Sequence, residues 1–432
     1  MDDRAALAEV KYEPYWWEQA PRPELPEAPL PRAVDVAVVG SGYTGLSAAL
    51  TLARGGRSVL LFEAEEPGHG ASSRNGGGVG TAPFKLSFRA SEALLGRERA
   101  VRLWKEGIAS VDYLADLVER EQIACHFVRS GRFLGAWRPG DYDRLAREVD
   151  LLRGHVGYEA HMVPRAEQHA MIGSDLYHGG RFNARDGVLH PALFHQGLLD
   201  RALSAGAVLA AHNPVTGVER QGGGFVLHSA RGAVRAGAVL LATNGYSGGA
   251  APFLARRIIP VGSQIIATEP LPQELVARLV PRGNMIVDTK RTVHYYRASH
   301  DGRRILMGGR PLLRDASPQA AAAPLRRFML RVFPELAGAR ITHAWGGRLG
   351  FTFDRLPHIG EHDGIHYACG YLGSGVAMST YLGYKAALKI LGSPEAETAF
   401  DGRSFPTMPF YSGNPWFLAS VAAYYRVRDA VG

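Results

Sequence analysis

The stretch Val34-Asp35-Val36-Ala37-Val38-Val39-Gly40-Ser41-Gly42-Tyr43-Thr44-Gly45 decides the fold of this chain. An apolar run typical of a buried strand leads directly into the pattern Gly-x-Gly-x-x-Gly. Apolar residues then recur with helical spacing from Leu46 to Ala53, and Gly55-Gly56 ends the helix. A second apolar strand, Val59–Phe62, follows and is succeeded by Glu63. The order predicts a βαβ unit.

The glycines of this turn have distinct physical roles in a βαβ unit that binds a dinucleotide. Gly40 permits the tight turn, Gly42 lets the backbone approach a pyrophosphate, and Gly45 lets the helix pack on the strand. The helix N-terminus directs free N–H groups and the positive end of its dipole toward the phosphates. Glu63, eighteen residues after Gly45, is placed to accept hydrogen bonds from a ribose. The alternative is a glycine-rich turn in an ordinary α/β domain.

Length and composition are those of a globular protein with two or three domains. The 432 residues are 46% hydrophobic and 21% charged, with a net charge of +8 that favours acidic small molecules. Lysines and arginines are scattered, so no nucleic-acid site is expected, and no Cys/His cluster has metal-ligand spacing. We expect neither a signal peptide nor a membrane span. With two cysteines, Cys125 and Cys369, no disulfide framework is expected, and the expected compartment is the cytoplasm.

A second glycine-rich segment indicates which dinucleotide is bound. Gly68-His69-Gly70-Ala71-Ser72-Ser73-Arg74-Asn75-Gly76-Gly77-Gly78 is too polar and too rich in glycine to be core. Together with Gly42-Tyr43-Thr44-Gly45-Leu46-Ser47 it resembles the flavoprotein family of D-amino-acid oxidase, glycine oxidase and sarcosine oxidase, and is most similar to its gamma-glutamylputrescine oxidase group. The resemblance implies FAD as the cofactor, with this segment along the ribityl chain and the isoalloxazine ring. A flexible surface loop is the alternative.

The resemblance extends to later segments that would complete the FAD site. A strand at Val215 would lie beside the adenine, a turn at 243–245 near the pyrophosphate, and a loop at 373–376 near N1 and O2 of the flavin. The helix after that loop would stabilise the negative charge of reduced flavin. The implied cofactor-binding residues are Gly40, Gly42, Tyr43, Thr44, Gly45, Glu63, Ala64, Ser72, Arg74, Asn75, Gly76, Gly77, Val215, Thr243, Asn244, Gly245, Gly373, Ser374, Gly375 and Val376.

The implied fold class is α/β with mixed α+β character. A Rossmann-like FAD-binding domain of the glutathione-reductase βαβ type is interleaved with an antiparallel-sheet substrate domain of D-amino-acid-oxidase type. The arm and the tail are expected to pack on the body or on a partner subunit, which allows a homo-oligomer. The tail helix is predicted at 416–429, with Phe417, Val421 and Tyr424 on its packed face. The expected boundaries are an N-terminal arm at 1–32, the FAD-binding domain at 33–83, 185–262 and 336–395, the substrate domain at 84–184 and 263–335, and the tail at 396–432.

The resemblance implies an oxidoreductase that acts on the CH–NH or CH–NH2 group of an amine. A hydride passes from the carbon next to nitrogen to flavin N5, the imine hydrolyses, and O2 reoxidises the flavin to give H2O2. The expected substrate is a small carboxylated amine of the glycine, sarcosine or N-carboxymethyl amino acid type. The alternatives are a gamma-glutamylputrescine-type amine oxidase, a dehydrogenase that passes electrons to another acceptor, and a flavin-binding protein without catalysis.

The resemblance also implies an arginine that binds the substrate carboxylate. Arg348 is nearest to the position of that arginine in the family, and a guanidinium can hold a carboxylate through two parallel hydrogen bonds. An ion pair with Asp354 is its alternative role. Arg297 and Arg310 are the other candidate anchors.

A predicted strand at 294–298 supplies two further catalytic candidates. Alternate residues of a strand face the same way, so either His294 with Tyr296 or Tyr295 with Arg297 faces the flavin. We favour His294 and Tyr296, because a His and a Tyr can orient an amine or a carboxylate. The alternative for this pair is core packing and surface polarity.

Two positions depart from sarcosine oxidase. Gly347 stands where monomeric sarcosine oxidases have a cysteine bonded to the flavin, so non-covalent FAD is expected. Leu306 falls near the position of a lysine that helps oxygen react, so the reaction with oxygen is open. The chain has one full dinucleotide fingerprint, which argues against a monooxygenase with its own NADPH domain.

Overall fold

The computed structural model of the chain describes residues 2–311 and 316–431, which form two eight-stranded sheets and a two-stranded ribbon. Within these residues no helix combines the length and the apolar character that crossing a bilayer requires. The strands are β1 (Ala33–Val39), β2 (Val59–Phe62), β3 (Gly78–Val79), β4 (Arg132–Gly135), β5 (Ala160–Val163), β6 (Gly180–Asn183), β7 (Gly187–Val188), β8 (Val208–Ala210), β9 (Val215–Gln221), β10 (Gly224–Ser229), β11 (Gly232–Leu241), β12 (Ile258–Thr268), β13 (Met285–Asp288), β14 (His294–Ala298), β15 (Ile305–Gly309), β16 (Ile341–Thr352), β17 (His358–His362) and β18 (Ile365–Cys369).

Helices lie between and around these strands. The α-helices are α1 (Asp3–Ala6), α2 (Trp16–Gln19), α3 (Tyr43–Arg54), α4 (Ala71–Arg74), α5 (Phe88–Leu95), α6 (Arg97–Arg120), α7 (Pro139–Val156), α8 (Pro191–Ser204), α9 (Pro252–Ala255), α10 (Gln273–Leu279), α11 (Pro318–Val332), α12 (Gly375–Leu391) and α13 (Leu418–Val431), with short 3₁₀ helices at Arg165–Ala170, Asn244–Tyr246, Pro334–Gly338 and Pro394–Ala396.

The first sheet contains the predicted βαβ unit. Its order is β17–β18–β11–β1–β2–β8, with β10 and β9 attached beside β11, and β1 pairs in parallel with both β2 and β11. The last four residues of β1 are buried, as expected for a parallel strand covered on both faces. Helix α3 packs so closely on α12 that a Cβ on Gly383 would lie only 2.3 Å from the Thr44 carbonyl oxygen. The Rossmann-like part of the prediction is confirmed.

The second sheet has the order β16–β12–β15–β14–β13–β4–β6–β5. All of its pairs are antiparallel except β13 with β4. One face packs on α11 through a core cluster that includes Ile266, Tyr296 and Phe328. Strand β16 belongs to this sheet, although the sequence analysis assigns 336–395 to the FAD-binding domain. The mixed fold of two interleaved units is as predicted.

The N-terminal arm packs on the body of its own chain. Lys11 extends the second sheet at its edge strand, because its N–H donates to the Thr342 carbonyl (2.9 Å) and its carbonyl accepts from the Ala344 N–H (3.0 Å). Trp16 is fully buried in a cluster that includes Ile265. Covering an edge strand in this way removes a surface that could pair with another chain.

The C-terminal tail docks on the second sheet by a face that includes two of the three predicted residues. Leu418 and Ala422 are buried against β12, Phe417 and Val421 pack beside them as predicted, and Tyr424 is 55% exposed. The Asp429 carboxylate accepts hydrogen bonds from the N–H groups of Arg291 and Thr292, both at 3.0 Å. The predicted face is therefore wrong at Tyr424, because the helix begins at Leu418 and turns that side chain to solvent.

Candidate active site

A cavity of about 800 Å³ is lined by residues of both sheets. The first sheet contributes the carboxyl ends of β1, β2 and β11, where ligands of open α/β sheets bind. The second sheet contributes the face opposite to α11, including Ser263, Met285 and Tyr295. The cavity therefore joins a nucleotide-type end to an end built by the other sheet.

The first glycine-rich turn forms one wall of the cavity. Gly40 has a φ of +102° and its N–H donates to the Phe62 carbonyl at 2.8 Å, which ties the turn to β2. A Cβ on Gly45 would lie 1.9 Å from the Gly40 carbonyl oxygen, so only glycine allows this packing. Gly42 borders the cavity, and α3 begins at Tyr43 with its N-terminus directed there. The turn has the geometry that a pyrophosphate requires.

Glu63 anchors the same turn from the end of β2. Its Oε2 accepts hydrogen bonds from the Ser41 N–H (3.0 Å) and from the Ser41 hydroxyl (2.6 Å). Glu63 also borders the cavity, as do Ala64, which is predicted to bind the cofactor, and Val215, which is predicted to lie beside the adenine. The carboxylate thus holds the glycine turn in place, and its contact with a ribose stays a prediction.

The second glycine-rich segment lies across the cavity from the helix start. The Ser72 hydroxyl accepts a hydrogen bond from the Tyr43 N–H at 3.0 Å. The Arg74 guanidinium donates from Nη1 to the Gly346 carbonyl at 3.0 Å and lines the cavity. Burial lowers the pKa of Arg74. Arg74 therefore links this segment to β16 at the junction of the two sheets.

The end of this segment is tightly packed. The Asn75 side-chain oxygen accepts from the Gly77 N–H at 2.8 Å. Asn75 and Gly76 line the cavity, whereas Gly77 lies behind it. Gly77 has a φ of +71°, and a Cβ there would clash with the Leu189 carbonyl oxygen at 2.2 Å. Gly77 therefore shapes the segment from outside the cavity.

Three tryptophans hold this segment by hydrogen bonds from their indole N–H groups. Trp16, Trp17 and Trp345 donate to the Asn75 carbonyl, the Ser73 hydroxyl and the Arg74 carbonyl, at 2.9, 2.9 and 2.7 Å. Two of these donors come from the N-terminal arm. Packing of the arm on the body is predicted from the sequence, but these hydrogen bonds are not, because no local sequence pattern indicates them.

The predicted turn after β11 divides between lining and support. Thr243 and Asn244 line the cavity, and the Asn244 side-chain oxygen accepts from the Gly370 N–H at 2.9 Å. Gly245 lies behind them, where a Cβ would be 3.0 Å from the Leu349 carbonyl carbon. The turn therefore connects β11 to β16 and to the loop after β18.

The loop before α12 closes the cavity. Gly373, Gly375 and Val376 line it, and Gly373 has a φ of +87°. The Ser374 hydroxyl is buried without a hydrogen-bond partner among the described residues, and Ser374 does not line the cavity. This loop places the N-terminus of a 17-residue helix at the cavity, where its free N–H groups and positive dipole end favour a negatively charged ligand group.

The other end of the cavity is positively charged. Tyr295 lines it, with its hydroxyl 3.0 Å from the Ser263 hydroxyl. Lys85, Arg132 and Arg310 line it as well. The accessible surface of Lys85 faces the cavity, and burial there, with repulsion from Arg310 and Arg132, lowers its pKa to about 7. Lys85 and Arg132 are not among the site residues predicted from the sequence. The position of Lys85 shortly after the second glycine-rich segment is the sequence feature that could have indicated it.

Arg310 is a buried cation without a described partner. Burial lowers its pKa, and its Nε makes no hydrogen bond. Its Cζ lies 5.1 Å from the centre of the Phe351 ring, and its Nη2 lies 2.7 Å from the position of a Cβ on Gly373. The guanidinium therefore stands beside the start of α12.

The preferred pair of strand β14 faces away from the cavity. The His294 Nδ1 lies 3.1 Å from the Asp288 carboxylate, and its ring stacks on Phe328 of α11 with the centres 3.5 Å apart. The Tyr296 hydroxyl donates to the Tyr177 hydroxyl at 2.9 Å. The prediction that His294 and Tyr296 face the flavin is wrong. Burial of Tyr296 in the core turns the neighbouring Tyr295 toward the cavity.

The arginine candidates separate clearly. Arg297 does not line the cavity: its guanidinium is buried and donates to the Leu189 carbonyl at 2.8 Å. Arg348 lines the cavity with an exposed side chain, 5.7 Å from the centre of the Tyr246 ring. Asp354, the alternative partner predicted for Arg348, binds Arg403. Arg348 and Arg310 are thus the candidates that the cavity brings together.

The two departures from sarcosine oxidase lie in different surroundings. Gly347 lines the cavity, and a Cβ there would meet the Arg74 side chain at 3.1 Å. Leu306 is 2% exposed and packs in the cluster of Trp16 and Trp345; it shares a sheet face with Tyr295 but does not line the cavity. Lys85 therefore lines this cavity, whereas position 306 is a leucine outside its lining.

Comparisons with known proteins identify the family of this chain. The family DAO, described as FAD dependent oxidoreductase, matches residues 35–387. The chain is 34% identical over 424 residues to "Probable oxidoreductase OrdL" of Rhizobium meliloti (strain 1021), covering 96% of this chain and 97% of that protein. It is 31% identical over 403 residues to "Gamma-glutamylputrescine oxidoreductase" of Escherichia coli (strain K12), covering 92% and 93%. Glycine oxidase from Geobacillus kaustophilus has the same fold, with a TM-score of 0.72 at 24% identity over 88% of this chain and 99% of that one.

The site fits FAD on its own geometry. The Gly40–Gly45 turn and the N-terminus of α3 suit a pyrophosphate, and the N-terminus of α12, which lies at the cavity, suits the negative charge of a reduced flavin. The resemblance read from the two glycine-rich segments is confirmed. The chain belongs to the DAO family of FAD dependent oxidoreductases and is an FAD-dependent enzyme that acts on amine or amino-acid substrates.

Proposed function

We propose that this enzyme is an oxidase of an amine that carries a carboxylate, with non-covalently bound FAD and O2 as the electron acceptor. The observation that carries the proposal is the charge of the cavity. Five lysine and arginine residues belong to its described lining, namely Arg74, Lys85, Arg132, Arg310 and Arg348, while the acidic residues of that lining are Glu63 and Glu65 at the nucleotide end. A cavity of this charge favours an anionic ligand group.

We assign the carboxylate to Arg310, with Arg348 as the second candidate. A buried guanidinium without an acidic partner is costly, and a ligand carboxylate would compensate it through two parallel hydrogen bonds. Arg348 is more exposed, and the family resemblance supports its role. The Tyr295 hydroxyl, on the same face of the sheet, is placed to orient the amine end.

The positive cavity also prepares the amine for oxidation. Nearby cations disfavour an ammonium ion, so the substrate nitrogen is bound in its neutral form. FAD supplies a two-electron acceptor for the hydride on the carbon next to nitrogen. The resulting imine takes up water, and the two electrons leave with O2 as H2O2. The role of Arg310 is to hold the carbon that loses the hydride in one position.

A gamma-glutamyl amine is the alternative substrate. The 31% identity to the protein named gamma-glutamylputrescine oxidoreductase, over 92% of this chain, favours it. Such a substrate carries its carboxylate far from the oxidised carbon, whereas an N-substituted glycine carries it next to that carbon. The two classes therefore differ in where the anchoring charge must lie.

A substrate panel tests the proposal. The purified holoenzyme is mixed without oxygen with N-substituted glycines and with gamma-glutamyl amines, and the flavin absorbance is followed; air and a peroxide assay come next. We expect N-substituted glycines to bleach the flavin and air to restore it with H2O2. Bleaching by gamma-glutamyl amines alone would support the alternative, and bleaching without reoxidation by air would identify a dehydrogenase. No bleaching by any amine with a carboxylate would overturn the proposal.

A further inference from the structure

Lys85 is a second cation in the cavity whose charge no described residue balances. It lies between β3 and α5 and lines the cavity, and no hydrogen bond or ion pair joins it to a residue in 2–311 or 316–431. Its side chain is exposed, and because Lys85 lines the cavity, its charge is available to a ligand group there. A lysine held in this way indicates a function other than solubility.

Arg132 does not compete for the same ligand, because it already has a partner. Its Nε lies 3.3 Å from the Asp186 carboxylate, and Asp186 is 2% exposed. The other oxygen of Asp186 accepts from Thr81 and Asn183. The positive charge of Arg132 is thus largely neutralised. Lys85 and Arg310 remain as cavity cations to which the described residues give neither a hydrogen bond nor an ion pair.

Two uncompensated cations require two acidic groups. A substrate with one carboxylate would neutralise Arg310 and leave Lys85 in the cavity without an anionic partner. A second carboxylate on the same molecule would neutralise both. The wall that the second sheet supplies there includes the apolar residues Met285, Val287 and Val293, which suit the methylene groups between two acids.

We infer that the substrate is an amine with two acidic groups, one bound by Arg310 and the other by Lys85. This inference rests on the proposed oxidation of a carboxylated amine and adds its substrate class: N-(carboxyalkyl) amino acids and related amino dicarboxylates. The bond that breaks is unchanged, since the hydride still leaves the carbon next to nitrogen. Lys85 acts in recognition and not in the transfer itself.

The test compares a diacid with a neutral molecule of the same shape. N-(2-carboxyethyl)glycine and its side-chain amide, N-(2-carbamoylethyl)glycine, differ in one charge. KM and kcat are measured with holoenzyme for both, in the wild type, Lys85→Met and Lys85→Arg, with Lys105→Met as the control for loss of an exposed lysine outside the cavity. Carboxymethyl and carboxypropyl homologues then show which spacing fits. Flavin content is measured for each variant to verify the fold.

We expect the wild type to prefer the diacid through KM by about tenfold or more, as for a buried charge pair. Lys85→Met should remove that preference, Lys85→Arg should retain part of it, and Lys105→Met should retain all of it. Equal KM values for diacid and amide in the wild type, or an equal loss on both in Lys85→Met, would overturn this inference while oxidation of the amide keeps the proposed function. Failure of all these molecules to reduce the flavin would overturn both.

Discussion

At the scale of single residues, the account depends on where charges lack partners and where a side chain has no room. Arg310 and Lys85 line the cavity without acidic partners among the described residues, whereas Arg132 has Asp186 and Arg297 has backbone carbonyls. Cations of the first kind are costly to the free enzyme and favourable to an anionic complex. Ligand recognition is therefore the role that best explains their retention in the cavity.

Two glycines of the first turn separate folding from cofactor binding. Gly42 has a φ of −73°, and its nearest obstacle to a Cβ is the movable Ser72 hydroxyl at 2.9 Å. Gly42→Val should therefore fold but lose FAD, because its side chain enters the space of the pyrophosphate. Gly45→Val should destabilise the fold itself by about 3 kcal/mol or more, because it meets the Gly40 carbonyl. Thermal unfolding and the flavin-to-protein ratio distinguish the two; a fully loaded Gly42→Val protein would contradict this role of the turn.

The pH dependence of substrate binding should report Lys85. Its pKa is lowered to about 7 by burial and by Arg310, Arg132 and Arg181, against the opposing effect of Asp186. Lys85 is therefore charged below that pH and loses its charge as the pH rises through it. We expect the KM of the diacid to rise relative to that of the amide above about pH 7, while Lys85→Arg keeps a constant ratio up to pH 9. A constant ratio in the wild type over pH 6 to 9 would contradict this assignment.

At the scale of elements, α12 places its N-terminus at the cavity, whereas the buried Ser374 hydroxyl before it has no described partner and does not line the cavity. Leaving a buried hydroxyl without a partner costs about 1–3 kcal/mol. Ser374→Ala should therefore raise the melting temperature of the FAD-free and the FAD-bound protein by the same amount. Calorimetry of both forms measures this. A rise confined to the FAD-free form would show that the hydroxyl binds the cofactor and would contradict this position for it.

The N-terminal arm acts as a support for the second glycine-rich segment. The Trp17 indole donates to the Ser73 hydroxyl at 2.9 Å, and the Arg74 guanidinium lies 4.9 Å from its ring centre. Trp17→Phe keeps a ring for Arg74 but removes the donor, which should weaken FAD binding by about 1 kcal/mol. Fluorescence titration with FAD measures the change, and Trp416→Phe, in a residue that is 66% exposed, is the control. Equal FAD affinities for the two variants would exclude a role for this contact.

How far the sequence predicts each element depends on whether its cause is local. The βαβ turn and strand β14 follow from glycine spacing and apolar runs, and they form as predicted. The start of α11 is less clear locally, because Pro318 and Pro324 could each stand in a first helical turn; the Ser317 hydroxyl, which accepts from the Ala320 N–H, sets the start at Pro318. The face of β14 cannot be read locally either, since alternation gives two equivalent pairs and packing on α11 selects one.

At the scale of the whole molecule, the cavity exists because the two sheets meet along the glycine-rich segments. Gly76 and Gly78 leave room for Tyr295 and Met285 of the second sheet, with a Cβ on either glycine closer than 3.0 Å to those side chains. The loops of the first sheet suit the cofactor, and the second sheet supplies most of the charges that select a substrate. Lys85 is the part least visible in the sequence, because it lies in a segment without periodicity and becomes significant only beside Arg310.

The central claim is that the bound flavin oxidises an amine held by its carboxylate at Arg310. The most direct measurement is the rate of flavin bleaching without oxygen by N-ethylglycine and by its amide, in the wild type, Arg310→Met and the exposed-site control Arg256→Met. In the wild type and in Arg256→Met, we predict that the concentration of N-ethylglycine for half-maximal bleaching is at least about thirtyfold lower than that of its amide. Arg310→Met should lose this preference while keeping its FAD. Equal half-maximal concentrations of the acid and the amide in the wild type would contradict the claim. An unchanged preference in Arg310→Met would assign the carboxylate to Arg348 instead.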